Sequence, residues 1–510
     1  MYALTPEIMR RLDSETAAKY KKGGRLLMMN AGLCAVTAIE SAVSGEKTAV
    51  IFCGCGNNGG DGYVIAAELS ARGWDVAVFE HQPKKKRTGD AAWFRSHAKR
   101  AIKNFYPMKT GKALDMELAG ASVIVDAVFG TGFHGALPED AAEVFAVAAN
   151  SKALCVAIDC PSGIDPQSGK APGGAFCADL TVCMSYPMRG IYLLPARGYT
   201  GRILVCDIGM DYGEIEKTNV FTDRVADRED IRSIFTRRKI NSHKGTYGKV
   251  LLICGSEGMP GAARLALSGA LRMGPGLCEL CSPRSVTEIC ASQLPEAIYT
   301  AVPDPSEWGE EDVEKILSRA EGCSAVLFGC GIGSTPMGRE LAIRLIKGEG
   351  GALILDADGV NSIKAEDLQG DEIKRQVLLT PHPKEFSRLT GISMEELAES
   401  RYSIAKSFAS EKNVTLLLKG ADTVIAAPDG TVYLNPTGNP GLAKGGSGDV
   451  LAGMAAGIAA FGNTAQTCGW AATYLHGAAG DSLAKKYSEY GYLVSELPAE
   501  AAAVLADIIK

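Results

Sequence analysis

"CGCGNNGGDGYVIAAEL", residues 53–69, decides how the first half of the chain reads. It contains Gly54-x-Gly56-x-x-Gly59, follows the apolar run "TAVIFC" and opens the amphipathic run "YVIAAELSA". A second apolar run, "WDVAVF", ends at Glu80, roughly 20 residues further on. Strand, glycine turn, helix, strand and acid together make the dinucleotide-binding fingerprint. Outward from there, apolar runs recur with helical segments between them: "ASVIVDAVFG", "ALCVAIDCPSG", "ADLTVCM" and "GRILVCDIG". Such alternation predicts a parallel sheet covered on both faces. After "DIGMDYGEIEK" the pattern breaks into the charge-rich stretch 216–240, and a new series begins at "KVLLICGS" and continues through "AVLFGCGIG", "ALILDADG", "QVLLTPHP" and "VTLLLKG". The expectation is an α/β protein of two domains, residues 1–215 and 235–510, joined by a linker at 216–234.

With 46% hydrophobic and 22% charged residues, the composition is that of an ordinary globular chain. A net charge of −6 argues against a general nucleic-acid binder. The basic run Lys84–Arg87 reads as a solvated loop. No apolar run reaches the ~18 residues needed to span a bilayer, so no membrane partner is expected. The start, "MYALTPEIMRRLDSETAAKY", has no apolar signal core and reads as an amphipathic helix, which points to the cytoplasm. Fifteen cysteines scattered among strand-like runs are then small core residues. Cys278 and Cys281 form one Cys-x-x-Cys, but they sit in a strand-like run where they face opposite ways, and no second ligand pair accompanies them.

The second half carries the sharper chemistry. In "NPTGNPGLAKGGSGDVLAGM", residues 435–454, Gly445 to Asp449 precede an apolar helical run. Glycine N–H groups and a helix N-terminus together make an anion site. The N–H groups of Gly446, Ser447 and Gly448 would face a phosphoryl group there, and Asp449 would serve as the base for an attacking hydroxyl. A turn at Lys419, Gly420, Ala421, Asp422 and Thr423 ends one strand with backbone suited to a nucleotide. "TPHPKEF" ends another and places His382 and Glu385 at the carboxyl edge of the sheet.

These pieces resemble the ribokinase-like superfamily, and more closely its NAD(P)H-hydrate dehydratase branch. The likeness runs through residues 435–454, "GMPGAARLA", "GCGIG" and "LTPHPKEFSRLTG", and covers about 235–510. It implies a ribokinase-like α/β/α domain with substrate contacts at Ala262, Gly333, His382 and Asp449. Nucleotide contacts would fall on Lys419 to Thr423 and on Gly448. It further implies ADP as phosphoryl donor, giving AMP and phosphate, with Mg2+ on the phosphates and Glu385 as an outer helper.

The first half resembles the NAD(P)H-hydrate epimerases, to which such dehydratases are often fused. "LMMNAG", residues 53–69, "IVDAVFGTGFHG" (124–135) and "AIDCPSGIDPQSG" carry that likeness. Met29 stands where relatives commonly have Glu, and Cys160 where they have Ile. Neither position is an expected ligand. The implied fold is a Rossmann-like three-layer sandwich. The resemblance implies K+ on Asn58, Asp126 and Ser162. Substrate would meet Asn57, Asn58, Gly59, Gly60 and Asp61; the loop of Gly130, Thr131, Gly132, Phe133, His134, Gly135 and Ala136; and Asp159. Asp61 also separates this loop from a dehydrogenase clasp, since a carboxylate there repels a bare diphosphate.

The substrate so implied is NADH or NADPH hydrated across one ring double bond (NADHX or NADPHX), whose two epimers explain a dehydratase fused to an epimerase. Asp449 would deprotonate the added hydroxyl for phosphorylation and elimination. Asp159 would handle protons at the same carbon, by opening either the bond to oxygen or the ring. Three other readings stay open. The second half could be a small-molecule kinase. The first half could be a non-catalytic binding or oligomerisation domain. An NAD-dependent dehydrogenase would need a hydride-acceptor domain. ADP against ATP, and NADHX against NADPHX, are left undecided. The family implies a homo-oligomer, a tetramer or larger.

Overall fold

The structure is a computed structural model and describes residues 1–20, 22–81 and 88–510, so Lys84–Arg87 lie outside it. The chain divides into two units, Met1–Asp223 and Arg224–Lys510. The stretch 216–234 holds the end of the helix Tyr212–Thr218, the short strand Asp223–Val225 and the helix Arg228–Ile234.

The first unit is built on a seven-stranded sheet. Its strands are β1 (Thr48–Cys53), β2 (Asp75–Glu80), β3 (Asn104–Pro107), β4 (Val123–Ala127), β5 (Leu154–Ile158), β6 (Leu180–Met184) and β7 (Arg202–Cys206). Their order is β3-β2-β1-β4-β5-β6-β7, and every neighbouring pair is parallel. β1, β4 and β6 are near-continuous apolar runs buried on both faces, which is what a covered parallel sheet demands. The order reverses between β1 and β4, so a crevice opens at their carboxyl ends. Three helices frame it: α1 (Pro6–Ala18), α2 (Gly23–Ala42) and α3 (Asn57–Ala71). Thr5 caps α1 by accepting the Ile8 N–H, and Met9 and Leu12 bury its inner face.

The second unit carries a ten-stranded sheet. The strands are β8 (Asp223–Val225), β9 (Lys249–Ile253), β10 (Leu277–Pro283), β11 (Ile298–Val302), β12 (Ala325–Phe328), β13 (Ala352–Leu355), β14 (Val377–Leu379), β15 (Thr415–Leu418), β16 (Val424–Ala426) and β17 (Val432–Leu434). The order is β11-β10-β9-β12-β13-β14-β15-β16-β17-β8. The ladder from β11 to β15 is parallel, while β15, β16 and β17 pair antiparallel. Two helices, Pro260–Met273 and Ser447–Ala459, pack backbone to backbone. A Cβ at Gly453 would lie 1.9 Å from the Ala266 carbonyl oxygen, so only glycine permits this approach, which fixes the start of the second helix beside the ends of β12 and β13. Cys278 and Cys281 are buried in β10, at 2% and 1% exposure.

Candidate active sites

In the first unit a cavity of about 680 Å3 opens at the crevice. Its walls include Asn57, Asn58, Asp61, the loop Gly130–His134, and Asp159. Gly59 and Gly60 lie in the first turn of α3 and pack inward rather than lining it, a Cβ on Gly59 falling 2.1 Å from the Gly54 carbonyl oxygen. Gly135 and Ala136 continue the loop beyond the wall. Asp126, the last residue but one of β4, is fully buried. Its carboxylate accepts from the Ser162 N–H (2.7 Å), the Ser162 hydroxyl (2.7 Å) and the Val128 N–H (3.1 Å). Burial still pushes it up to about 6. Asn58, in the first turn of α3, is 7% exposed, and both its Oδ1 and Nδ2 are without a hydrogen-bond partner among the described residues. An orphaned amide oxygen, a buried carboxylate that no basic side chain among the described residues neutralises and a serine hydroxyl are donor types that suit a hard monovalent cation.

Asp159 follows β5 in the left-handed region, with φ +63°. Burial and the nearby Asp13 carboxylate push it up to about 7, which suits an acid/base group at neutral pH. Such a group costs stability once ionised. The folded state holds its proton more tightly than the unfolded chain, so this contribution to stability falls as pH rises from about 4 to about 7. Asp159→Asn is therefore expected to stabilise the protein at pH 8 by about 1–2 kcal/mol, a few degrees in Tm, with the gain vanishing near pH 4. Thermal melts at the two pH values check this.

The dehydrogenase reading loses its acid. Glu80 at the end of β2 is 3% exposed and is bound by the Tyr63 hydroxyl (2.9 Å) and by Arg95 through Nε and Nη2 (2.8 Å for Nη2). Spent inside the fold, it is not presented to a ribose. Cys160 is 1% exposed, and burial raises its thiol well above the ordinary range, so it is an inert core residue.

In the second unit Gly446 takes φ +89°, and a Cβ there would lie 2.5 Å from the Leu265 side chain, so the turn into the helix Ser447–Ala459 requires glycine. The Ser447 N–H donates to the Lys444 carbonyl (3.2 Å), and its hydroxyl meets Nε2 of buried His476 (3.3 Å). Burial lowers His476 to about 4, so it is neutral. The N–H groups of Gly448 and Asp449 in the first helical turn point onward without intrahelical acceptors.

Asp449 stands in a cluster. One ligand atom each of Cys330, Asp356 and Asp449 lies within 4.8 Å of the others. Lys419 Nζ is 2.7 Å from Asp356 Oδ1, and the Thr380 hydroxyl donates to the same oxygen at 2.7 Å. A Cβ on Gly448 would sit 3.2 Å from Lys419 Nζ, so the lysine also borders the Gly-rich turn. Burial and the Asp356 carboxylate hold Asp449 up at about 6, against the pull of the Cys330 thiol and Lys419. A base poised there is mostly ionised at pH 7.

The structure brings Asp449, Gly448 and Lys419 together. Lys419 enters through its side chain, whereas the sequence pointed to its backbone. The rest of that turn is tied inward: Gly420 N–H and C=O both bond the Thr423 hydroxyl, and Asp422 faces Arg401 at 3.3 Å. Gly333 donates its N–H to Asp358 (2.8 Å) at the end of β12's loop, and Ala262 lies in the first turn of the helix Pro260–Met273. His382 caps the helix Pro383–Thr390, its Nδ1 accepting from the Lys384 and Glu385 N–H groups while Glu385 accepts from the His382 N–H. Sequence reasoning missed Asp356, Cys330, His476 and Asp13. Asp356 had a usable signal, an acid directly after the apolar run "ALIL".

Known proteins bear on both units. A family model described as YjeF-related protein N-terminus matches residues 24–190, and one described as NAD(P)H-hydrate dehydratase matches residues 250–501. The bifunctional NAD(P)H-hydrate repair enzyme of Moorella thermoacetica is 36% identical over 98% of this chain and 95% of its own. That of Escherichia coli is 30% identical over 92% and 87%. The crystal structure of an ADP/ATP-dependent NAD(P)H-hydrate dehydratase from Bacillus subtilis, co-crystallised with ATP and Mg2+, superposes with a TM-score of 0.50 at 34% identity. It covers 56% of this chain and 98% of that one. No helix among the described residues is long and apolar enough to cross a membrane. The chain belongs to the family of bifunctional NAD(P)H-hydrate repair enzymes.

Proposed function

We infer that this chain repairs hydrated NADH and NADPH: its first unit interconverts the R and S epimers, and its second dehydrates the S epimer at the expense of a nucleotide. The observation that carries the reading is the placement of Asp449, at about 6, at a glycine-built helix mouth beside the Lys419–Asp356 pair.

Asp449 takes the proton of the added hydroxyl as that oxygen attacks the terminal phosphoryl group. The N–H groups of Gly446 and Gly448 and the Lys419 ammonium face the developing charge, whereas the Ser447 N–H is already donated to the Lys444 carbonyl. Phosphate then leaves from carbon as the ring nitrogen's lone pair advances, and loss of the adjacent proton restores the double bond. Mg2+, when bound, neutralises phosphate charge; Glu385 and Asp356 are the nearby carboxylates for it. ADP is the donor we favour, giving AMP and phosphate. We further propose action in the cytoplasm as a homo-oligomer.

In the first unit Asp159 moves protons at the same carbon. Asn58, Asp126 and Ser162 would hold K+, which supplies positive charge next to the substrate loop. Asn58→Ala is expected to abolish the rise in Tm on replacing Na+ by K+, along with K+ stimulation of epimer exchange. A K+ effect that survives the substitution would remove Asn58 from the site.

Product identity tests the whole reading. With hydrated NADH, ADP and Mg2+, phosphorus NMR should show AMP and free phosphate accumulating one for one with NADH. A stable phosphorylated product in place of free phosphate would make the second unit a kinase.

A further inference from the structure

The cavity of the first unit holds one carboxyl more than Asp159 and the expected Asp61 supply. Asp13 reaches it from α1, Asp61 from α3 and Asp159 from the end of β5. Among the described residues none of the three is ion-paired. The other titratable groups on the cavity wall are Arg10, Cys55 and His134. Arg10 is exposed, with its Nε donated to the Pro6 carbonyl (3.1 Å), and His134 is turned to Asp165 (3.2 Å). Burial and the charges of Asp159 and Asp13 hold Asp61 well above the ordinary carboxylate range, so three carboxyls that no basic side chain among the described residues pairs with oppose one another's ionisation, and the cluster keeps a proton near neutral pH. Asp13 is firmly placed. Leu12 beside it is fully buried, and the Leu4 N–H donates to the Pro187 carbonyl (2.9 Å) just ahead of the helix.

We propose that Asp13 is a second proton-transfer residue of the epimerase site, paired with Asp159 so that one carboxyl gives a proton while the other takes one. This rests on reading the first unit as an epimerase. Epimerisation at a carbon bearing a hydroxyl and a ring nitrogen needs two proton movements. In the route through the carbon–oxygen bond, the protonated carboxyl gives its proton to the hydroxyl. Water leaves with the bonding pair, and the nitrogen lone pair closes a C=N+ bond. Water then adds from the opposite face and surrenders a proton to the ionised carboxylate. One proton is given and one taken, and a residual negative charge on the cluster faces the cation between the two events. Burial holds Asp13 up at about 6 and Asp159 at about 7, so one protonated and one ionised member coexist between those values.

The test uses the full chain and S-enriched hydrated NADH without nucleotide, with the epimer ratio followed by chromatography from pH 5 to 9. Wild type should give a bell-shaped rate profile. Asp13→Asn should slow exchange roughly 100-fold or more and remove one limb of the bell. Asp13→Glu, which keeps the carboxyl, should recover part of the rate. Exchange by Asp13→Asn as fast as wild type overturns the proposal. So does a loss that Asp13→Glu does not ease while the bell is unchanged, because that marks a purely structural residue. If wild type itself leaves the epimer ratio at its uncatalysed rate, the epimerase reading falls and the role of Asp13 with it.

Discussion

Asp449→Asn lowers the rate of nucleotide-dependent NADH recovery by roughly 1,000-fold, the range spanned by general-base catalysis. The asparagine keeps the size and the neighbours of the carboxyl, Cys330 and Asp356 within 4.8 Å, but cannot accept the substrate proton. Nucleotide binding should be kept or tightened, because a negative charge next to the anion-binding turn is removed. In wild type the rate should rise through about pH 6 as Asp449 ionises and then level off, whereas the residual rate of the variant should lack that rise. Stopped-flow absorbance at saturating nucleotide, with nucleotide affinity measured by calorimetry, checks both halves. A variant that loses affinity and rate together would place Asp449 in binding.

Lys419→Met should cost about 3–5 kcal/mol of stability, since breaking a buried ion pair leaves one charge uncompensated. Lys419 Nζ lies 2.7 Å from Asp356, whose side chain is 2% exposed. Despite burial, that carboxylate and Glu385 keep the ammonium above its ordinary range. Methionine fills the volume but leaves Asp356 with the Thr380 hydroxyl and the Cys330 thiol alone. The expected fall in Tm is roughly 10 °C at pH 8. Adding Asp356→Asn should restore part of the loss, because it removes the uncompensated buried charge. Calorimetric melts at pH 8 decide it, and an unchanged Tm would contradict a buried pair.

Much of this was legible in the sequence because parallel strands buried on both faces read as continuous apolar runs, and their carboxyl ends are where ligands gather. "TAVIFC", "VIVDA" and "LCVAI" became β1, β4 and β5, and the cavity beyond their carboxyl ends is lined by Asn58 and Asp159. The Gly-rich turn before Asp449 was equally plain. The antiparallel hairpin β16–β17 was within reach as well, since Pro428-Asp429-Gly430 between two apolar runs is turn chemistry, and Gly430 takes φ +81°. Asp13 was not legible. An acid on the amphipathic helix α1 looks like any solvated position until the fold lays that helix over the cavity. Lys419 shows the opposite limit: its place in the turn was clear, but the direction of its side chain depends on Asp356 from another strand.

The most direct measurement is absorbance at 340 nm on a mixture of both epimers of hydrated NADH, supplied with ADP and Mg2+ and the full chain. A fast phase is expected for the S epimer and a slower phase for the R epimer, which together return all of the dihydronicotinamide absorbance. Recovery that stops at the S fraction would contradict epimerisation by the first unit. No recovery with either ADP or ATP would contradict the repair function itself.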